Sequence, residues 1–134
     1  MESRGIHHLG VAVEDLDAAL DTYRRLFGAE LEHRETVPEQ GVEAAAVLVG
    51  DSRVELLASL GDDTPVGKFL ASRGPGMHHV AYEVEDLSGE LSRLEGEGVQ
   101  LIDSAPRPGL FGMQVAFVRP EAAHGVLSEL VARV

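Results

Sequence analysis

Gly76-Met77-His78-His79-Val80-Ala81-Tyr82-Glu83-Val84-Glu85-Asp86-Leu87 decides the fold, because the chain carries an earlier version of it. Near the start stands Gly5-Ile6-His7-His8-Leu9-Gly10-Val11-Ala12-Val13-Glu14-Asp15-Leu16. Both copies run glycine, apolar residue, His-His, an alternating apolar stretch and Glu-Asp-Leu, and His79 follows His8 by 71 residues without a gap. A long-period repeat of this kind marks a chain built from two equivalent structural units.

Working outward, each copy predicts a strand followed by a helix. Ile6 to Val13 alternates and is rich in small and β-branched residues. Asp15 or Asp17 can cap a helix in which Leu16, Ala19, Leu20, Tyr23, Leu26 and Phe27 recur at helical spacing, with Gly28 closing it. Glu30 to Val37 reads as a strand with Leu31, His33, Glu35 and Val37 on one face. Pro38-Glu39-Gln40-Gly41 is a turn, and Val42 to Val49 and Arg53 to Ala58 form a hairpin across Gly50-Asp51-Ser52. Thr64-Pro65 starts a short helix in the connector.

The second copy repeats the order. Met77 to Val84 is a strand, Leu87 to about Glu95 a helix, and Val99 to Asp103 a short strand. A Pro/Gly-rich loop covers Ser104 to Gly112, and Met113 to Val118 pairs with Val126 to Val131 across the Arg119–Gly125 turn. The expected architecture is α+β. Two tandem βαβββ modules, at about residues 4–58 and 76–134 with a connector at 59–75, form one domain over residues 1–134.

Strand alternation separates the histidines. His8 shares a face with Gly10 and Ala12, and His79 with Ala81, whereas His7 and His78 lie with the larger apolar residues that pack under helices. The small-residue face leaves room for something other than protein. Each module's last strand adds a carboxylate among apolar neighbours, in Val54-Glu55-Leu56-Leu57 and Ser128-Glu129-Leu130-Val131. Burying an unpaired charge is costly, so both carboxylates need partners. His8, Glu55, His79 and Glu129 thus make a pseudo-symmetric set that suits one divalent ion such as zinc, cobalt or manganese, with positions left for water or substrate. His7, His33, His78 and His124 are read as hydrogen-bonded or solvated residues, and Glu83 as a residue of the sheet rim.

Composition narrows the function classes. A formal charge of −12 with Lys68 as the only lysine argues against nucleic-acid and anionic-membrane partners. The absence of cysteine excludes disulfides and thiolate chemistry. No apolar run approaches the ~20 residues of a membrane span, and a cytoplasmic location is expected.

The paired His-His strands with their Glu-Asp-Leu ends resemble the vicinal oxygen chelate superfamily, which includes glyoxalase I, extradiol dioxygenases and bleomycin-resistance proteins. Pro38-Glu39-Gln40-Gly41-Val42, Val54-Glu55-Leu56-Leu57, Asp63-Thr64-Pro65-Val66-Gly67-Lys68-Phe69-Leu70, Pro106-Arg107-Pro108-Gly109 and Gly125-Val126-Leu127-Ser128-Glu129-Leu130 narrow it to the methylmalonyl-CoA epimerase family. The resemblance implies sheets curled into a half-open barrel around one metal, with ligands at His8, Glu55, His79 and Glu129. Some members have glutamine where this chain has Glu55. It also implies a homodimer acting on methylmalonyl-CoA, an acyl-CoA, by interconverting its C2 epimers.

Such a reaction removes a proton α to a thioester, which requires the enolate to be stabilised and an acid/base on each face. Glu129 is expected to supply one. For the other, the family pattern puts a carboxylate at the position of Ala44, and here Glu43 stands beside it, facing the site only if a bulge after Gly41 shifts the register. The family's His-Pro-Lys turn is Arg119-Pro120-Glu121 here, so Lys68, Arg73 and Arg107 are the candidates for CoA phosphate contacts. The alternatives are a glyoxalase-type lyase or isomerase on a thiol adduct, and a metal-free small-molecule-binding protein. Glu55 argues against an extradiol dioxygenase, whose metal has a 2-His-1-carboxylate triad.

Overall fold

The aspartate of each Glu-Asp-Leu segment starts a helix. In a computed structural model that describes residues 3–133, the Asp15 carboxylate accepts from the Ala18 N–H at 3.0 Å and opens α1 (Leu16–Phe27). Asp86 accepts from the Gly89 N–H at 3.1 Å and opens α3 (Leu87–Gly96). Each bond satisfies a backbone donor that the first helical turn leaves without an intrahelical partner. Gly28 ends α1 in the left-handed conformation (φ 67°) that a glycine adopts without a steric cost. Between them, Thr64 caps α2 (Pro65–Arg73) by accepting from the Gly67 N–H at 3.0 Å. A Cβ on Gly67 would run into the Gly61 carbonyl oxygen, so the close approach there needs glycine.

The described residues fall into two compact units, His8–His78 and the segments on either side of it, so the division runs between the two histidines of each pair. In the first module β1 (Gly5–Ala12), β2 (Glu30–Val37), β3 (Val42–Val49) and β4 (Ser52–Ser59) are ordered β2-β3-β4-β1. β1 runs parallel to β4, and the other pairs are antiparallel. The α1 face carries the core of Val13, Leu16, Ala29, Ala45, Val47 and Leu56, with Leu20 and Tyr23 packed against it.

The second module repeats the scheme with β5 (Gly76–Glu83), β6 (Arg107–Pro108), β7 (Gln114–Val118) and β8 (Ser128–Ala132), ordered β5-β8-β7-β6, with β5 parallel to β8. Val84, Leu87, Leu91, Ala116, Val118, Leu130 and Ala132 form its core on the α3 face. No helix among the described residues is long and apolar enough to cross a membrane.

Two sequence expectations need correction. Val99 to Asp103 is not a strand: only Leu101 bridges to Val118, and the third sheet position of this module falls to Arg107–Pro108. The Asp103 carboxylate explains the early stop, because it accepts from the Phe117 N–H at 2.9 Å and so takes the donor a continuing strand would use. The second correction concerns β2. The pairing of Leu31 with Val47 and of His33 with Ala46 shows a register shift between them, a bulge at Glu32. Leu31 therefore shares the α1 face with Val47, while His33, Glu35 and Val37 share the opposite face with Ala46, Ala44 and Val42.

Candidate metal centre and active site

Two His–carboxylate pairs occupy equivalent positions in the two units. In β1 and β4 the parallel register sets Gly10 beside Glu55, and His8 lies two residues back on the same face. In β5 and β8 it sets Ala81 beside Glu129, with His79 two residues back. His8 Nδ1 stands 3.2 Å from Glu55 Oε2. His79 Nε2 stands 3.3 Å from Glu129 Oε1. All four side chains are buried, at 3%, 5%, 4% and 3% exposure for His8, Glu55, His79 and Glu129.

Burial at that depth is what makes the carboxylates informative. A solvated glutamate pays nothing for being charged, whereas a buried one has to be matched by a proton, a cation or hydrogen-bond donors. The donor chemistry fits a divalent ion. Two ligand atoms each about 2.1 Å from one cation at a tetrahedral angle stand about 3.4 Å apart, close to the separations in both pairs. Imidazole nitrogen and carboxylate oxygen are ligands that zinc, cobalt and manganese all accept.

The other histidines of the repeat have different surroundings. His78 meets the Phe69 ring of α2 edge-on, with centroids 5.0 Å apart, as expected of a residue under a helix. His7 is buried.

On the Glu129 face, Phe117 is the direct cross-strand neighbour of Glu129, and its ring meets His79 edge-on at 5.5 Å. Arg107 lies over the same ring, its guanidinium carbon 5.4 Å from the centroid, with Nε 3.3 Å from Asp103 Oδ2. Arg73 packs over Phe69 of its own helix at 5.7 Å. Of the candidate anion contacts, Arg107 is thus the one held on the face of a His–carboxylate pair.

Glu43 is not on that kind of face. β3 and β4 pair without a register shift from Val42 to Val49, so the bulge after Gly41 that Glu43 would need is absent there. Alternation puts Glu43 with Ala45 on the α1 face, where it accepts from Arg34 Nε at 3.1 Å while Arg34 also bonds Asp17 at 2.7 Å. Asp17 first, and Glu43 after it, raise the Arg34 guanidinium above its ordinary value. Glu43 is thus held in an ion pair with Arg34 on the face of the sheet opposite to Glu55.

His33 is hydrogen-bonded, as its reading in the sequence expects. Its Nε2 lies 2.9 Å from Glu35 Oε1 on the Glu55 face of the sheet.

Residues 7–117 match the model of the Glyoxalase/Bleomycin resistance protein/Dioxygenase superfamily. The chain is 35% identical over 127 residues to the ethylmalonyl-CoA/methylmalonyl-CoA epimerase of Cereibacter sphaeroides, covering 93% of this chain and 95% of that protein. The chain belongs to the methylmalonyl-CoA epimerase family. Its relatives there are isomerases, and the fold of two βαβββ modules is the family's fold. A variant of the Streptomyces coelicolor methylmalonyl-CoA epimerase in complex with 2-nitronate-propionyl-CoA matches with a TM-score of 0.96 and 36% identity, covering 99% of this chain and 96% of that one. YqjC of Bacillus subtilis, an uncharacterised protein, is 40% identical over 93% of this chain and 89% of its own length. Among methylmalonyl-CoA epimerases the resemblance therefore extends from the repeated histidine strands through the connector to the last strand.

Proposed function

We propose that this protein is a metal-dependent epimerase that interconverts the C2 epimers of methylmalonyl-CoA, with His8, Glu55, His79 and Glu129 holding one divalent ion per chain. The observation that carries the reading is the pair of buried His–carboxylate contacts, 3.2 and 3.3 Å, at repeat-equivalent positions in a chain whose full-length relatives are epimerases of malonyl-type acyl-CoAs. The reading requires both modules to act as one domain over residues 1–134.

When bound, the ion supplies a Lewis acid for the thioester and carboxylate oxygens of the substrate, lowering the energy of the enolate. The protein's own residues do the rest. Glu129 carries a proton to or from C2 on one face. The apolar neighbours Ala81, Met113, Val115 and Val131 keep water from the carboxylate and so strengthen its interactions. Arg107, fixed by Asp103 and Phe117, gives an acidic protein a localised positive charge for an anionic acyl-CoA. Lys68 and Arg73 on α2 serve the more distant CoA phosphates.

The same reading includes a cytoplasmic homodimer. The repeat-equivalent Ile6 and Met77, 62% and 60% exposed, are the kind of apolar surface that a second copy would cover.

In deuterated water the metal-loaded protein is expected to exchange the C2 proton of methylmalonyl-CoA and to interconvert its epimers, and a chelator should abolish both. Metal-bound protein that exchanges no C2 proton, or activity indifferent to chelation, would be incompatible with this function.

A further inference from the structure

Phe111 stands where the chain otherwise uses glycine. Its backbone is left-handed, at φ 60° and ψ 20°, and Gly112 after it is left-handed too, at φ 69°. Glycine adopts that conformation without a steric cost and histidine tolerates it, but a bulky aromatic residue is strained there. Among the described residues the other non-glycine with positive φ is His124, which caps the Pro120–Ala123 turn. A phenyl ring at Phe111 therefore costs stability that a glycine would return.

The surroundings hold the strained backbone in place. Phe111 lies in the Gly109–Gly112 connection of the β6–β7 hairpin. The Gly109 N–H donates to the Met113 carbonyl at 2.9 Å, and the Met113 N–H donates to the Leu110 carbonyl at 3.0 Å. Strain persists only where the rest of the structure over-determines it, and such positions concentrate at active sites and ligand clamps. The ring is not a core residue. Leu110 before it and Met113 after it are buried, whereas Phe111 is 40% exposed. A Cβ on Gly112 would meet nothing within 4 Å, so the chain beside the ring is open.

The connection leads onto the Glu129 face of the sheet. Val115 pairs with both Arg107 and Val131, and Phe117 pairs with Glu129. Alternation therefore puts Arg107, Met113, Val115 and Phe117 on one face with Glu129, where Met113 packs with Ala81, Val115 and Val131. The run from Phe117 back to Met113 spans roughly 13 Å, so Phe111 stands well away from the carbon that reacts at Glu129. From Pro108 to Met113 the chain carries no charge. An apolar, uncharged rim suits the pantetheine arm of an acyl-CoA, with its neutral amides and methyl groups, and not the phosphates beyond it.

We propose that Phe111 is a substrate-binding residue whose ring packs against the pantetheine arm of the acyl-CoA where the arm leaves the Glu129 face. This deepens the function proposed above and rests on its acyl-CoA substrate. The strained backbone is the means by which the hairpin presents the ring at its rim, and the ligand contact is what the strain is kept for.

The test is calorimetric titration of metal-loaded wild type, Phe111→Gly, Phe111→Asn and Phe111→Tyr with methylmalonyl-CoA and with methylmalonyl-pantetheine, which lacks the nucleotide. Phe111→Gly should weaken binding of both thioesters about tenfold, as expected for the loss of one partly covered aromatic ring. Phe111→Asn, which tolerates a positive φ without the flexibility of glycine, should match it, and Phe111→Tyr should bind both as wild type does. Phe111→Gly should also unfold no earlier than wild type, because the strain it relieves offsets the packing it loses. A ring kept for folding would give the opposite pattern, a lowered unfolding midpoint with both Kd values unchanged, and that result overturns the assignment. Weakening confined to methylmalonyl-CoA overturns it as well, since the ring would then lie against the nucleotide. If neither thioester binds wild type, the acyl-CoA reading fails and the contact falls with it; if both bind wild type and Phe111→Gly equally well, only the contact falls.

Discussion

Replacing Glu129 with glutamine should reduce epimerisation by 10³- to 10⁴-fold at saturating metal, and deuterium incorporation into both epimers should fall together. The expectation follows from two roles placed on one side chain. Glutamine keeps the size and one acceptor oxygen but loses the charge that holds a cation and the basicity that moves a proton. General acid–base groups alone are worth about 10²–10⁴ in rate, and a 10⁴-fold loss corresponds to roughly 5.5 kcal/mol of transition-state stabilisation. The fold should survive. Glu129 is 3% exposed, next to Leu130 and Val131 in a strand otherwise suited to the core. Neutral glutamine carries less desolvation cost there than a carboxylate, provided its polar atoms stay bonded. The diagnostic pattern is a collapse of kcat with the unfolding midpoint of the metal-free variant within a few degrees of metal-free wild type, measured by calorimetry alongside the exchange assay. A kcat within tenfold of wild type would remove Glu129 from the chemistry.

Metal removal should produce the largest change in stability. An ion that binds the native chain and not the unfolded one contributes about 4 kcal/mol when present at 1,000 times its Kd. For a chain of 134 residues each kcal/mol moves Tm by about 4 °C, so chelation should lower Tm on the order of 15 °C. The protein is still expected to fold without metal. Its two His–carboxylate contacts and the cores around Leu56 and Leu91 do not depend on an ion. Thermal scans across a titration of cobalt or zinc check this directly, and a Tm that ignores both chelator and metal would speak against a bound ion. The size of the shift, which follows the logarithm of free metal, also separates specific binding from general ionic strength.

Much of this was legible in the sequence because the decisive signals were local. Alternation alone separates His8 from His7 and His79 from His78, since a histidine among Gly10, Ala12 or Ala81 cannot be packing under a helix. The caps at Asp15, Thr64 and Asp86 are short-range hydrogen bonds, and the residue types that make them are visible in order. What escaped was set by partners distant in sequence. The bulge at Glu32 depends on the register that β3 imposes and on Arg53, which donates to the Glu32 carboxylate at 2.7 Å, neither of which shows in the residues around His33. Val99 to Asp103 has strand-like composition, yet the Asp103 carboxylate occupies the Phe117 N–H and ends the pairing. Glu43 is the intermediate case. Period-two alternation already aimed it away from the site, and the unbroken pairing of β3 with β4 leaves it on the α1 face with Arg34.

In the proposed function His8 and Glu55 from one module and His79 and Glu129 from the other hold a single ion. Calorimetric titration of metal-free protein with cobalt, run on wild type, His8→Ala and His79→Ala, tests it most directly. The expected result is one ion per chain for wild type and a loss of affinity in both variants beyond the 10- to 100-fold that removing an outer-shell partner costs. Two ions per chain, or full-affinity binding that survives either substitution, would contradict it.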